Sequence, residues 1–279
     1  MRLLIVLLTL CACLLPADSR AQRTLTLDWT LAETLVALGH PPVGVAQIPD
    51  YHAWVGEPRL PTGTIDLGLR NQPSMELMAR IAPDLVLITP MFTNMAERLA
   101  GIGPVSNVPL YDPESDAWQA IEEMTRVLGR MTGREAAAQR LIADTAARLE
   151  AARPRVRGCG PLLVIQLADD RHVRVYGGNS LYHQVLQRLG IPNAWRGEVN
   201  AWGYRLVGLP ELADVEGRVV IVEPAPLGTL ERVESNSLWQ RLPVVEGQAP
   251  VILPPVWSLG GMPSVQRFAG LLEERVCLP

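Results

Sequence analysis

The chain has 279 residues, with 25 Lys plus Arg against 29 Asp plus Glu, a net charge of −4 and a mean hydropathy of +0.14. It contains no lysine, so every fixed positive side chain is a guanidinium. A mildly acidic chain without basic runs does not read as a nucleic-acid binder, and no nucleic-acid partner is expected.

Residues 1–21 read as a secretory signal peptide. Arg2 gives a small positive start, residues 3–15 are apolar and too short to span a bilayer, and Ser19-Arg20-Ala21 has the small-x-small form of a cleavage site. The mature chain would then begin near Gln22, with 23 arginines against 28 carboxylates. Residues 10–13 loosely resemble a lipobox, which makes a lipid on Cys13 the weaker alternative because the apolar run before it is very short. An exported, soluble mature protein is expected. Two cysteines remain after cleavage, Cys159 and Cys277. In an oxidising compartment such a pair is either a disulfide closing the second half of the chain or two separate buried thiols.

In chain order, 25–28 is a strand, 31–38 an amphipathic helix ended by Gly39, and 43–47 the next strand. A loop carrying Tyr51, His52 and Trp54 leads to a short strand over 64–68 that ends on Arg70. A helix starts at Pro73-Ser74 and closes at Pro83. Strands follow at 84–89 and 105–111. Strands alternating with helices predict a mostly parallel sheet. A helix starts near Asp116, and a second helical run, rich in Ala, Leu, Arg and Glu, extends from Thr132 until Pro154 stops it. The second half restarts with the apolar strand 161–167 and a hairpin partner at 172–176. A helix capped by Asn179-Ser180 runs to Gly190, strands follow at 219–222 and 251–253, and a last helix spans 263–276. The fold class is therefore α/β: two α/β lobes joined by a long helix, with a ligand cleft between them. The segments are 1–21 signal peptide, 22–130 N-terminal lobe, 131–158 connecting helix and 159–279 C-terminal lobe. The helical run is too short for the sustained heptads of a coiled coil, so a monomer is expected.

No catalytic cluster stands out. His40, His52, His172 and His183 are scattered, with none of the spacings of a protein-built metal site, and no metal or cofactor is expected. Arg70 lies just past the carboxyl end of a strand and before a helix, where open α/β sheets bind ligands. Trp54, Trp202 and Trp257 each sit in a loop bordered by Gly or Pro, where a core role explains them less easily. Trp supplies 7 of the 14 aromatic residues, a Trp-rich, Phe-poor set that hints at sugar-like or chelate-like ligands. One guanidinium with several indoles points to an oxygen-rich ligand. An α/β enzyme using Arg70 as an anion anchor is the rival from another class, but no convergent titratable groups accompany it in the sequence.

Three stretches resemble one family: Trp54-Val55-Gly56-Glu57-Pro58 with Asp66-Leu67-Gly68-Leu69-Arg70; Gly178-Asn179-Ser180-Leu181 with Gly190-Ile191-Pro192-Asn193-Ala194-Trp195; and Asn200-Ala201-Trp202-Gly203. They look like the periplasmic binding proteins that carry ferric hydroxamate siderophores to ABC importers, within the class that handles iron chelates and cobalamin. The resemblance implies a non-enzymatic protein in which Arg70 hydrogen-bonds hydroxamate oxygens while Trp54, Trp202 and Trp257 wall a shallow cleft. Iron would enter only as the chelate, its six oxygens already saturating the metal. Phe92 stands where the family tends to have a tyrosine, and Leu259 where an aromatic is expected. The family docks on an inner-membrane permease through one acidic residue per lobe, implying Glu97 in the first lobe and Glu211 in the second. Cobalamin or another chelate is the alternative ligand.

Overall fold

A computed structural model describes residues 22–110 and 116–277. The signal segment with Cys13, and the end of the 105–111 strand, lie outside the described residues.

The N-terminal lobe opens with β1 (Thr24–Thr26) and α1 (Trp29–Ala37). Asp28 caps α1, its carboxylate accepting from the backbone N–H of Thr30 and Leu31. Next come β2 (Gly44–Val45) and α2 (Ile48–Trp54), so the segment read as a loop around Tyr51, His52 and Trp54 is a seven-residue helix. Pro49 in the first turn favours it, and Gln47, in the left-handed region at φ 58°, sets its start. The chain continues through β3 (Ile65–Asp66), β4 (Gly68–Leu69), β5 (Gln72–Pro73), α3 (Met75–Ile81), β6 (Leu85–Ile88), a 3₁₀ turn at Pro90–Met95, α4 (Ala96–Ala100) and β7 (Val105–Asn107). Five of these strands form a parallel sheet in the order β3-β2-β1-β6-β7. The order reverses between β1 and β6, which makes their carboxyl ends a switch point.

The link between lobes is helical in two pieces, α5 (Ala117–Thr132) and α6 (Glu135–Ala152). Asp116 caps the first, and Gly133, at φ 64°, ends it in the left-handed conformation that a side chain would resist. One buried core runs through both lobes. It joins Leu31, Leu35 and Leu87 of the first lobe to Ile121, Met124 and Leu128 of α5 and to Tyr182, Val265 and Phe268 of the second.

The C-terminal lobe contains β8 (Leu162–Leu167), β9 (His172–Tyr176), α7 (Leu181–Leu189), β10 (Tyr204–Gly208), β11 (Arg218–Val222), α8 (Thr229–Glu234), β12 (Val251–Leu253) and α9 (Met262–Leu271), followed by a π turn at Leu272–Val276. Its sheet order is β10-β9-β8-β11-β12. β8, β11 and β12 are parallel, while β9 and β10 are antiparallel additions. Every residue of β8 is buried, as its unbroken apolar run requires. Cys159 and Cys277 are joined as a disulfide with Cα atoms 5.2 Å apart, tying the exit of the helical link to the end of the last helix.

Candidate functional site

The site grows from the carboxyl ends of the N-terminal strands. Asp28 follows β1 and Thr89 follows β6, and the Thr89 hydroxyl donates to Asp28 Oδ2 at 2.8 Å, closing the switch point with a buried bond. Arg70 sits at the tip of the β4–β5 hairpin. Its Nε donates to the Leu27 carbonyl at 3.1 Å, and its Nη2 lies 3.9 Å from Asp28 Oδ2. The side chain is 17% exposed and its guanidinium is stacked among rings: the guanidinium carbon lies 4.4 Å from the Trp29 centroid, 5.1 Å from Phe92 and 5.8 Å from Trp257. Such packing favours a planar cation. Arg70 and Phe92 line a solvent-open concavity of about 970 Å³ together with Gln47, Asn71 and Met91.

Trp257 comes from the other lobe, on the loop after β12. It is 9% exposed, and its indole N–H donates to Thr30 Oγ1 at 3.0 Å. The Thr30 hydroxyl in turn donates to the Leu259 carbonyl at 2.7 Å. Trp257 meets Trp29 edge-on at 5.1 Å and Trp54 at 6.4 Å, so rings from α1, α2 and the second lobe form one aromatic wall. Arg70, Phe92, Trp257 and Trp54 are thus brought together. Phe92, at 5% exposure, is largely part of the lobe core.

Trp202, in the second lobe, does not line the concavity beside Arg70 but a separate narrow crevice, with Leu110, Ile121, Asn179 and Leu259. Its loop is pinned: Trp202 N–H donates to Asn200 Oδ1 at 2.9 Å, and the Asn179 amide donates to the Ala201 carbonyl at 3.0 Å. Gly203, at φ 77°, presses so close to Ser180 that a Cβ there would lie 2.4 Å from the Ser180 Cα. Leu259 accordingly touches both sides, as backbone acceptor for Thr30 and as lining of the crevice.

Glu97 is exposed on α4, just beyond the 3₁₀ turn that carries Phe92. Glu211 is exposed on the other lobe, but its carboxylate accepts from the Gly208 N–H at 2.9 Å and lies 3.4 Å from Arg205 Nη2. Trp29 is the site residue that sequence reasoning missed. The available signal was its place directly after the strand-ending Asp28. Glu33, four residues on, is fully buried. Its carboxylate accepts from Gly261 N–H at 2.5 Å and shares a 2.6 Å bond with Ser264 Oγ, so α1 is bonded to the start of α9. Burial pushes its pKa up to about 8, against the pull of those donors.

Two α/β lobes, a helical link and a ring-lined cleft with one fixed guanidinium define a substrate-binding protein of the two-lobed kind. The chain belongs to the periplasmic binding protein family, whose model matches residues 25–255. It is 33% identical over 259 residues to the iron(3+)-hydroxamate-binding protein FhuD of Escherichia coli (strain K12), covering 91% of this chain and 86% of that one. The siderophore-binding protein FhuD from Vibrio cholerae, solved with Fe3+–Desferal bound, superposes with a TM-score of 0.86 at 28% identity, covering 92% of this chain and 98% of that one. The triscatecholate siderophore-binding protein FeuA from Bacillus subtilis shares the fold, with a TM-score of 0.73 at 16% identity over 93% of each chain.

Proposed function

We propose that this protein captures a ferric hydroxamate siderophore in the periplasm and delivers it to an inner-membrane ABC importer. The observation that carries the reading is Arg70, held by the Leu27 carbonyl and Asp28 against a wall of Trp29, Trp257 and Phe92. A ferric trihydroxamate offers carbonyl-type oxygens to a guanidinium and an apolar skirt to indoles. The similarity to the Escherichia coli hydroxamate-binding protein over nine-tenths of the chain supports the same ligand class. A triscatecholate carries more negative charge and would call for several cations at the cleft, whereas Arg70 is the cation in the concavity.

The protein acts without chemistry, and iron enters it as the finished chelate. It works as a monomer, exported through a signal peptide cleaved before Gln22. Glu97 and Glu211 are its docking residues toward arginines of the permease. Titration of Trp fluorescence tests the ligand class. Fe3+–Desferal is expected to quench saturably at micromolar concentration or below, and a ferric triscatecholate is not. Saturable catecholate binding without any response to hydroxamates would overturn the reading.

A further inference from the structure

The three consecutive residues Asp28, Trp29 and Thr30 meet both Arg70 and Trp257. We propose that Asp28 and Thr30 are positioning residues for the ligand: Asp28 sets the plane of the Arg70 guanidinium, and Thr30 sets the Trp257 indole from the other lobe. This rests on the reading of Arg70 and Trp257 as ligand contacts.

The two oxygens of Asp28 divide their work. Oδ1 accepts from the backbone N–H of Thr30 at 2.8 Å and of Leu31 at 3.3 Å, which locks the carboxylate to the first turn of α1. Oδ2 accepts from Thr89 at 2.8 Å and faces Arg70 Nη2 at 3.9 Å. With 1% of its side chain exposed, Asp28 has no second conformation to adopt without losing buried bonds. The guanidinium is therefore held from one side by the Leu27 carbonyl and Asp28, and from below by the Trp29 ring. Its orientation exists before a ligand arrives, which removes an ordering cost on binding.

Thr30 performs the second half. Its single hydroxyl accepts from Trp257 Nε1 and donates to the Leu259 carbonyl, so one side chain on α1 fixes both the ring and the backbone that follows it. The partners are 227 and 229 residues away in sequence. The wall that faces the ligand is thereby assembled across the lobe boundary from one helical turn.

Double-mutant cycles on the full mature chain, read by Fe3+–Desferal affinity, separate positioning from simple stabilisation. Asp28→Asn keeps an efficient helix cap but removes the charge. It is expected to weaken binding roughly tenfold with Arg70 present and less than about twofold in an Arg70→Ala background. Thr30→Val and Trp257→Phe are expected to show the same non-additivity. Equal losses in both backgrounds of both cycles would overturn the proposal while leaving the functional reading standing. If Asp28→Asn does not fold, the Thr30–Trp257 cycle alone decides. No binding of Fe3+–Desferal by the unaltered protein would overturn both the functional reading and the positioning roles.

Discussion

The guanidinium carbon of Arg70 lies 4.4 Å from the centroid of the Trp29 ring, although the two residues belong to different βα units. That stacking places a permanent cation over an apolar surface, and the Leu27 carbonyl holds it in place. Hydrogen bonds from a charged donor contribute roughly 1.5–3 kcal/mol. Arg70→Ala is therefore expected to weaken ferric hydroxamate binding by roughly 10- to 100-fold, with a modest loss of thermal stability as the buried Asp28 loses its facing cation. Arg70→Lys should recover little, because an ammonium cannot stack or present a planar fork. A lowered melting temperature with affinity spared would assign Arg70 to structure instead.

Docking on the permease should depend on the two acidic candidates unequally. Glu211 already shares its carboxylate with Arg205 and the Gly208 N–H, which diminishes the field it presents, whereas Glu97 stands exposed on a short helix. Rim charges act mainly on association and are screened by salt. Glu97→Arg is expected to reduce uptake of ferric hydroxamate in cells more than Glu211→Gln does, with solution affinity unchanged in both. Uptake at the normal rate by the Glu97→Arg variant, at equal protein levels, would remove that residue from the interface.

Much of the architecture could be read along the chain because its determinants are local. The apolar run before Ala168, the Asn179-Ser180 cap and the Gly190 stop define β8 and α7 within a few residues of each boundary. The site was legible in part. Arg70 and Trp257 stand out as residues that a loop does not otherwise need, and Trp54 stands out on the same argument although it ends the helix α2. Trp29 did not stand out, since a tryptophan at the start of a helix normally reads as core, and it becomes part of the site only through Arg70 and Trp257. Glu33 was illegible for the same reason: an acidic residue on a helix reads as solvated until a partner 228 residues away covers it. β10 escaped notice because an edge strand with exposed Arg205 and Leu206 lacks the alternation of a half-buried one.

The disulfide should matter for stability and not for ligand affinity. Cys159 precedes β8 and Cys277 follows α9, so the bond lies at the amino-terminal edge of the second sheet. Trp257 follows the carboxyl end of β12, which runs parallel to β8 by way of β11. A six-residue strand separates the two edges by about 20 Å. Replacing both cysteines by serine is expected to cost roughly 2–4 kcal/mol in urea denaturation, with the Fe3+–Desferal dissociation constant unchanged. A large loss of affinity in the still-folded variant would contradict this placement.

The lobes are expected to keep a nearly fixed angle. Leu31 and Leu35 of α1, Ile121 and Leu128 of α5, and Val265 and Phe268 of α9 belong to one buried core. Opening the lobes would expose that surface at about 25 cal/mol per Å² of apolar area. Small-angle scattering with and without Fe3+–Desferal should give nearly the same radius of gyration. A clear compaction on ligand addition would indicate a hinge that this core does not allow.

Glu33 makes the same lobe contact sensitive to pH, and the direction follows from its shifted pKa. Burial holds the folded carboxyl protonated up to about pH 8, against an ordinary value of 4.5. Between those values the folded protein retains a proton that the unfolded chain has released, so stability falls as pH rises through that window. The fall is complete above pH 8, and below 4.5 both states carry the proton. His40, His52 and His183 act in the opposite sense, because burial lowers their pKa and their charging in the unfolded chain weakens the fold toward acid. A single pH profile therefore mixes the two, but the difference between the wild type and Glu33→Gln isolates the carboxyl. Glutamine keeps an acceptor for Gly261 N–H and a partner for Ser264 without titrating. The variant should match the wild type in urea midpoint near pH 5 and exceed it increasingly toward pH 8. Midpoints that run parallel across this range would show that Glu33 does not change charge there.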